Sequence, residues 1–485
     1  MSGHALNSLK IFILFNLILW IASCAVNPVT GKRELMLLSD SDEVKMGIQS
    51  DKQVVETYGV YDDKELHNYL DRLGQEMAKV SHRPELKYEF KLMDSPVINA
   101  FAVPGGFVYI TRGILAYLNN EAELAGVVGH EIGHITARHS AKQYSKGQLA
   151  QLGLGLGSVF SEEFSKYAGL AEMGVGVLFL KFSRDNERQS DDLGVEYSTK
   201  TGYDAREMAN FFITLDRMSE KEDEKGLPSW FSTHPNPENR VGDIRKEAAL
   251  WQKKINRPDF KINRDEYMSK IDGLVYGEDP RQGFVEKGVF YHPGLQFQFP
   301  APTGWKVNNL PTQVQIIAGK GEAVILFTLE EGSSPLAAAQ KFISKNKAVA
   351  VYQNDLKVNA FRAYKVVSKI TTDQGVIQVM SYFIMKDNQI FTFHGLTSLQ
   401  DYEKYSRSFE NTMNGFNLLT DRSKLEVKPD RIRIKRTVKA GMLELAFQDF
   451  GVEEALWKEL ALMNGKELDE NIPAGTPIKI IERGR

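Results

Sequence analysis

The chain has 485 residues, of which 42% are apolar and 25% charged, and its formal net charge is −3. Those are the proportions of an ordinary globular protein, long enough for two to four domains. A balance so near neutrality argues against a nucleic-acid partner and gives no electrostatic grip on an anionic membrane.

At the N-terminus, Lys10 precedes a run from Ile11 to Ala22 that is apolar except for Asn16. About 12 residues suit the core of a signal peptide and fall short of the roughly 20 that a spanning helix needs. The tetrapeptide Ile21-Ala22-Ser23-Cys24 follows, and Cys24 is the only cysteine. It resembles the lipobox of bacterial lipoproteins. The expectation is a signal peptide over 1–23 and a mature chain that begins at an acylated Cys24, where several acyl chains hold a protein firmly to a bilayer. With that thiol used, no intramolecular disulfide can form. Ala25, in place of an Asp, is similar to an outer-membrane address in enteric-type sorting, which puts the chain on the periplasmic side of the envelope.

Val97 to Ala102 is apolar and β-prone, Pro104-Gly105-Gly106 turns the chain, and Phe107 to Thr111 returns as a strand. Asn120 then reads as a helix N-cap with Glu123 as its capping-box partner, and Leu124, Val127, Val128, Ile132 and Ile135 continue an apolar face. On this helix lies His130-Glu131-Ile132-Gly133-His134. Residues four apart share a face, so both imidazoles can converge on one cation, while Glu131 sits about 100° round the helix and can reach a metal-bound water. This is the HExxH arrangement of zinc peptidases. The plainer alternative is a core helix with hydrogen-bonded histidines, but such a helix has no reason to bury a Glu between them. Gly126, Gly129 and Gly133 flank the two histidines and read as room for a second helix to pack closely.

A zinc site needs a third protein ligand. His139 lies five residues beyond His134 and has rotated about 140° away. Glu187 is the better candidate. It stands four residues before Asp191, so one carboxylate can ligate while the other accepts a hydrogen bond from a ligand His. Between lie two apolar, glycine-rich runs, Leu152 to Gly157 and Gly169 to Leu180, each too short to span a membrane. They read as a packed helical hairpin, as a mobile lid over the cleft, or as a surface touching the membrane or a partner. Further on, Asn236-Pro237 reads as N-cap and first helical residue, so that His234 would sit on a short rigid lead-in.

Four stretches together resemble the M48 family of zinc metallopeptidases: Asn99 to Gly106, His130 to His134, Glu187 to Asp191, and Thr233-His234-Pro235-Asn236-Pro237. The resemblance covers roughly residues 25–255. It implies one Zn²⁺ per chain held by His130, His134 and Glu187, with Glu131 as general base and Asp191 as support. It also implies that His234 either donates to the tetrahedral oxyanion or acts as a fourth ligand that keeps the site latent; a structural histidine is the third reading. One departure is Gln189-Ser190, where the family often has Glu-Ala. The hairpin edge would take an extended peptide as an added strand, and the resemblance points to Asn99, Ala100 and Phe101 there. Backbone-led binding fits unfolded or misassembled envelope polypeptides as substrates.

Residues 256–288 are polar and rich in Pro and Gly and read as a linker. Residues 289–420 look like a separate α+β domain, with strands at Leu295 to Phe299 and Ala323 to Leu329, a helix over Ser334 to Lys347, and a hairpin of Val376 to Met385 with Gln389 to His394. His292 and His394 there carry no ligand spacing and read as structural or solvent-facing. Residues 430–485 read strand, two helices, strand, similar to a degenerate LysM domain that lacks Gly-Asp-Thr after its first strand; this makes peptidoglycan a candidate partner.

The expected architecture is therefore a multidomain α+β chain. After the signal peptide come a mainly helical zincin-type metallopeptidase domain with a small edge β-hairpin (24–255), the linker, the α+β domain and the small βααβ module. The expected activity is that of a lipid-anchored zinc metalloendopeptidase in envelope protein quality control. The alternative is a chaperone or assembly lipoprotein with a latent zinc site, acting mainly by binding partners or cell wall.

Overall fold

The computed structural model describes residues 24–151, 182–220, 230–330, 332–372 and 375–484. The expected signal segment and both glycine-rich runs lie outside them. Mixed helix and sheet fold into two compact units. The first takes the chain to Val55, then Val60–Tyr276 and Arg431–Glu482; the second takes Glu56–Gly59 and Gly277–Asp430. No described helix is long and apolar enough to cross a membrane.

In the first unit, Cys24–Val26 (β1) pairs antiparallel with Arg33–Leu35 (β2). The helix Lys64–Lys79 is capped by Asp63, whose Oδ1 accepts from the Leu66 amide at 2.9 Å, and buries Leu66, Leu70, Leu73 and Met77 along one face. Strands Glu89–Met93 (β3), Ala100–Val103 (β4) and Phe107–Thr111 (β5) form a sheet in the order β3-β5-β4, with β4 antiparallel to β5. The expected hairpin is present, and β4 is an edge of this sheet. Gly105 and Gly106 turn it with φ of 85° and 106°, which a side chain would resist.

The motif helix runs Glu121–Thr136 and every one of its residues is buried. The Asn120 side chain accepts from the Glu123 amide at 2.9 Å, as expected of an N-cap. Glu123, however, accepts from the amide of Asn119 at 2.8 Å rather than from that of the N-cap. The helix ends where Arg138 takes a left-handed φ of 58°. Arg138 is held there by Glu43 Oε1 at 2.6 Å and by the carbonyl of Leu38 at 3.0 Å.

The helix that packs on its glycines is Arg184–Lys200, started by a Ser183–Asn186 capping box. A Cβ on Gly129 would stand 3.0 Å from the Gly194 carbonyl oxygen, and one on Gly133 would stand 3.1 Å from Leu193 Cβ. In return, a Cβ on Gly194 would stand 3.0 Å from the amide nitrogen of His130. Gly126 faces Met208 instead, at the start of the helix Met208–Glu220. Small residues at the crossing let the two backbones nearly touch, and that approach carries Glu187 and Asp191 to the histidines.

Residues 256–288, expected as a linker, are not free of the core. The helix Arg264–Ile271 buries Tyr267, Met268 and Ile271, and the Tyr267 hydroxyl donates to the carbonyl of Leu115 at 2.6 Å. Three apolar residues in a polar run give too weak a period to be read. The units divide at Tyr276–Gly277.

In the second unit, Phe284–Glu286 (β6), Val289–His292 (β7) and Phe297–Pro300 (β8) join Asn417–Leu418 (β16) in a sheet ordered β16-β8-β7-β6. A seven-stranded antiparallel sheet holds Lys306–Leu310 (β9), Gln313–Ile317 (β10), Ala323–Glu330 (β11), Val349–Val358 (β12), Phe361–Thr372 (β13), Gly375–Lys386 (β14) and Gln389–Ser398 (β15), in the order β12-β13-β14-β15-β11-β10-β9. The expected β14–β15 hairpin turns at Asp387 and Asn388, both with positive φ, as a two-residue turn requires. Phenylalanines dominate its core: Phe327 and Phe393 have centroids 4.5 Å apart. His394 stacks on Phe342 and meets Ser381 Oγ at 2.8 Å, while His292 accepts from the Leu295 amide at 3.1 Å. Both are structural.

The chain then returns to the first unit. Arg431–Arg436 (β17) pairs antiparallel with Pro477–Glu482 (β20), and Gly441–Met442 (β18) with Asn471–Ile472 (β19). Two short helices, Leu443–Asp449 and Trp457–Met463, lie between in sequence. Leu443, Phe447, Leu460 and Ile478 belong to the same core cluster as the motif helix. Lys479 is fully buried, and its ammonium donates to the carbonyls of Ala116 and Leu118 at 2.8 Å each.

Gly194→Ala should test the helix contact. Ala improves helix propensity by about 1 kcal/mol, yet its methyl meets backbone that cannot step aside, so a net destabilisation of about 1–2 kcal/mol is expected in thermal unfolding.

Candidate metal centre

The motif helix projects His130 and His134 to one side, and the Arg184–Lys200 helix brings Glu187 to meet them. His234 completes the group. One ligand atom from each of the four lies within 4.8 Å of the others, and all four residues are buried. The two Nε2 atoms of His130 and His134 are 3.0 Å apart. Glu187 Oε2 is 3.5 Å from His130 Nε2, and its Oε1 is 3.5 Å from His134 Nε2 and 3.2 Å from His234 Nδ1. So many lone pairs facing inward need a positive charge between them. Both carboxylate oxygens of Glu131 are buried with no hydrogen-bond partner among the described residues. A divalent cation with a water beside it would satisfy the whole set.

Titration behaviour points the same way. Burial works to depress His130, but its hydrogen bonds to Asp191 and Glu187 outweigh this and push it up to about 9. Burial would raise Glu187, yet the surrounding histidines, His234 first, hold it well below the usual carboxylate range. Burial drives His134 well below its ordinary value and lifts Glu131 above its own.

Around the four donors lies a supporting layer. Asp191 Oδ1 is 2.9 Å from His130 Nδ1, as the spacing predicts for a carboxylate that orients a ligand imidazole. Arg240 was not singled out by sequence reasoning. Its Nη2 donates to Asp191 Oδ1 at 2.7 Å and to Glu187 Oε2 at 3.4 Å, and its guanidinium lies 3.7 Å over the ring of Phe212. A lone Arg six residues past His234 carries no readable signal, because only the fold shows that it is buried. His139, set aside as a ligand, meets His134 Nδ1 with its own Nδ1 at 3.0 Å, and burial brings it down to about 4.

His234 is held differently from expectation. Asn236 does not cap a helix: its side chain donates to Asp216, and the next helix is Arg240–Ile255, begun at Asn239. His234 instead follows the four-residue helix Trp230–Thr233, and its ring stacks on the buried Trp230 with centroids 4.4 Å apart. Its Nδ1 faces the donors and its Nε2 lies 3.6 Å from Glu131 Oε1. Phe182 stacks on His134 at 4.1 Å.

The hairpin residues Asn99, Ala100 and Phe101 are all buried, and Asn99 Oδ1 has no hydrogen-bond partner among the described residues. Phe101 stacks on Tyr109. It is the far end of β4 that borders the centre: Ala102, Val103 and Pro104 line a small groove with His134, Ile135 and Arg138. Cys24 stands in β1 and is not one of the clustered donors.

Two histidines of one helix and a glutamate of another converge beside a buried glutamate that accepts no hydrogen bond among the described residues, next to an edge strand, and this defines the class: this part of the chain is a metallopeptidase domain. Residues 64–248 match Peptidase family M48. The chain is 30% identical over 256 residues to the Beta-barrel assembly-enhancing protease of Escherichia coli (strain K12), covering 51% of each. It is 31% identical over 230 residues to the protein of the same name from Yersinia pestis, covering 46% of this chain and 47% of that one. To the Mitochondrial metalloendopeptidase OMA1 of Arabidopsis thaliana it is 28% identical over 201 residues, covering 40% of each. The chain thus spans about half the length of the first of these curated relatives, and less of the third. Together these matches support a metalloprotease.

Removing Arg240 should leave two buried carboxylates short of their counter-ion. Arg240→Met is expected to weaken metal binding by about 10–100-fold in a chelator competition, the usual effect of losing a partner of a ligand.

Proposed function

We propose that this chain is a zinc metalloendopeptidase of the bacterial cell envelope that cleaves unfolded or misassembled polypeptides. The observation that carries the reading is the convergence of His130, His134 and Glu187 beside the buried carboxylate of Glu131, which has no hydrogen-bond partner among the described residues. His130, His134 and Glu187 would hold the ion, one per chain. When bound, zinc supplies Lewis acidity and lowers the pKa of a coordinated water.

The remaining work falls to side chains. Glu131 accepts a proton from the attacking water on a carboxylate oxygen and returns it to the leaving amine. Asp191 holds the His130 ring by Nδ1 and leaves Nε2 free to ligate. The edge strand β4 offers backbone groups to an extended substrate, with Ala100 and Phe101 on it and Asn99 just before it. Backbone-led pairing selects for exposed, unpaired chain rather than for sequence. A relative named Beta-barrel assembly-enhancing protease fits such a substrate class.

For His234 the geometry favours a latch. Its Nδ1 faces the other donors, 3.4 Å from His130 Nε2, as a fourth ligand would. The site is then closed at rest, which leaves a binding role for the chain while the latch is shut. Anchorage through an acylated Cys24, a place at the outer membrane, and peptidoglycan binding by the LysM-like segment complete the proposal; these rest on the residues set out in the sequence.

Glu131→Gln should retain one zinc and lose about 10²–10⁴-fold in peptide hydrolysis. A cellular phenotype that survives this change would mean that the protein works chiefly by binding. His234→Ala should raise proteolysis with zinc retained; a clear loss of activity would return His234 to the role of oxyanion donor.

A further inference from the structure

Behind His134, on the side away from the other donors, three side chains form a line. His134 Nδ1 is 3.0 Å from His139 Nδ1, and His139 Nε2 is 3.0 Å from Gln189 Oε1. Ser190 Oγ lies 3.4 Å from the same His139 Nδ1. His134 and His139 are buried, and Gln189 is half-buried at the outer end. Two imidazole nitrogens can share one proton between them, not two. The direction of that sharing decides whether His134 has a lone pair to offer.

We propose that Gln189 and His139 form a proton-direction relay that fixes His134 in the one tautomer able to bind the metal. Gln189 Oε1 can only accept, so His139 carries its proton on Nε2 and presents a bare Nδ1. That lone pair accepts a hydrogen bond from His134 Nδ1–H, and the Ser190 hydroxyl can add a second donor to it. His134 Nε2 is then unprotonated and faces His130 and Glu187. With the amide of Gln189 turned round, its NH₂ would donate to His139 Nε2. The proton of His139 would move to Nδ1, and His134 would point an N–H into the cluster and repel the cation. His139 and Gln189 are positioning residues: neither touches the donors' centre. The inference rests on the metal-centre reading of the preceding subsection and assigns a role to two residues outside the ligand set.

The test compares zinc affinities of the full chain by chelator competition. His139→Leu removes the acceptor and should weaken zinc about 10–100-fold. His139→Asn places an amide oxygen near the lost Nδ1 and should restore affinity to within about threefold of the parent. Gln189→Leu, changed at the half-buried end, should weaken zinc without touching either imidazole. Melting of the metal-free proteins checks that each variant folds. A second readout needs no variant. In zinc-loaded protein with ¹⁵N-labelled histidine, His139 should carry its proton on Nε2 and His134 on Nδ1. A His139→Leu variant that binds zinc like the parent, an Asn variant no better than Leu, or a His139 proton on Nδ1 would each overturn the relay while the metal centre stands. A parent protein that takes up no zinc would overturn both.

Discussion

The close crossing of two helices is the constraint on which the site depends. His130 and His134 share one helix, but their third partner is more than fifty residues away in sequence, on another. Glu187 arrives only because Gly129 and Gly133 on one side and Gly194 on the other let backbone approach backbone. Each glycine weakens its own helix by about 1 kcal/mol against Ala. The burial of the whole motif helix offsets that, since no turn of it relies on propensity alone.

Such an approach has an electrostatic consequence. It buries Glu187 and Asp191, and an uncompensated buried carboxylate is costly. Arg240 answers both, from a helix that begins just after His234. The same short stretch of chain therefore delivers the imidazole that closes the donor set and the guanidinium that neutralises its surroundings. Charge and geometry are settled together, and neither could be altered without the other.

Much of this was legible in the sequence, and the limits are physical. The motif helix, its N-cap, the edge hairpin, and the Glu187–Asp191 pair follow from spacing, because periodicity is a local property. The turn at Asp387-Asn388 was legible for the same reason. Arg240 was not, since a single basic residue looks alike whether solvated or enclosed. Asn236-Pro237 looked like a helix start, but the helix waits until Arg240, because the Asn236 side chain is engaged by Asp216. The stretch around Tyr267 read as linker because its three buried residues are too few to make a pattern. Gln189 read as a minor departure; only its distance to His139 gives it weight.

The return of Arg431–Glu482 to the first unit has a bearing on how the molecule is made. Tyr117 and Tyr276 both reach Glu459, and Lys479 ties down the carbonyls at the end of the helix Arg112–Tyr117, one turn ahead of the motif helix. Glu459 and Lys479, which make these contacts, follow Gly277–Asp430 along the chain. During synthesis the catalytic half therefore waits, its core unsealed, until the intervening sheet has emerged. A nascent metalloprotease domain is thereby kept structurally unfinished until residues 431–482 have been made.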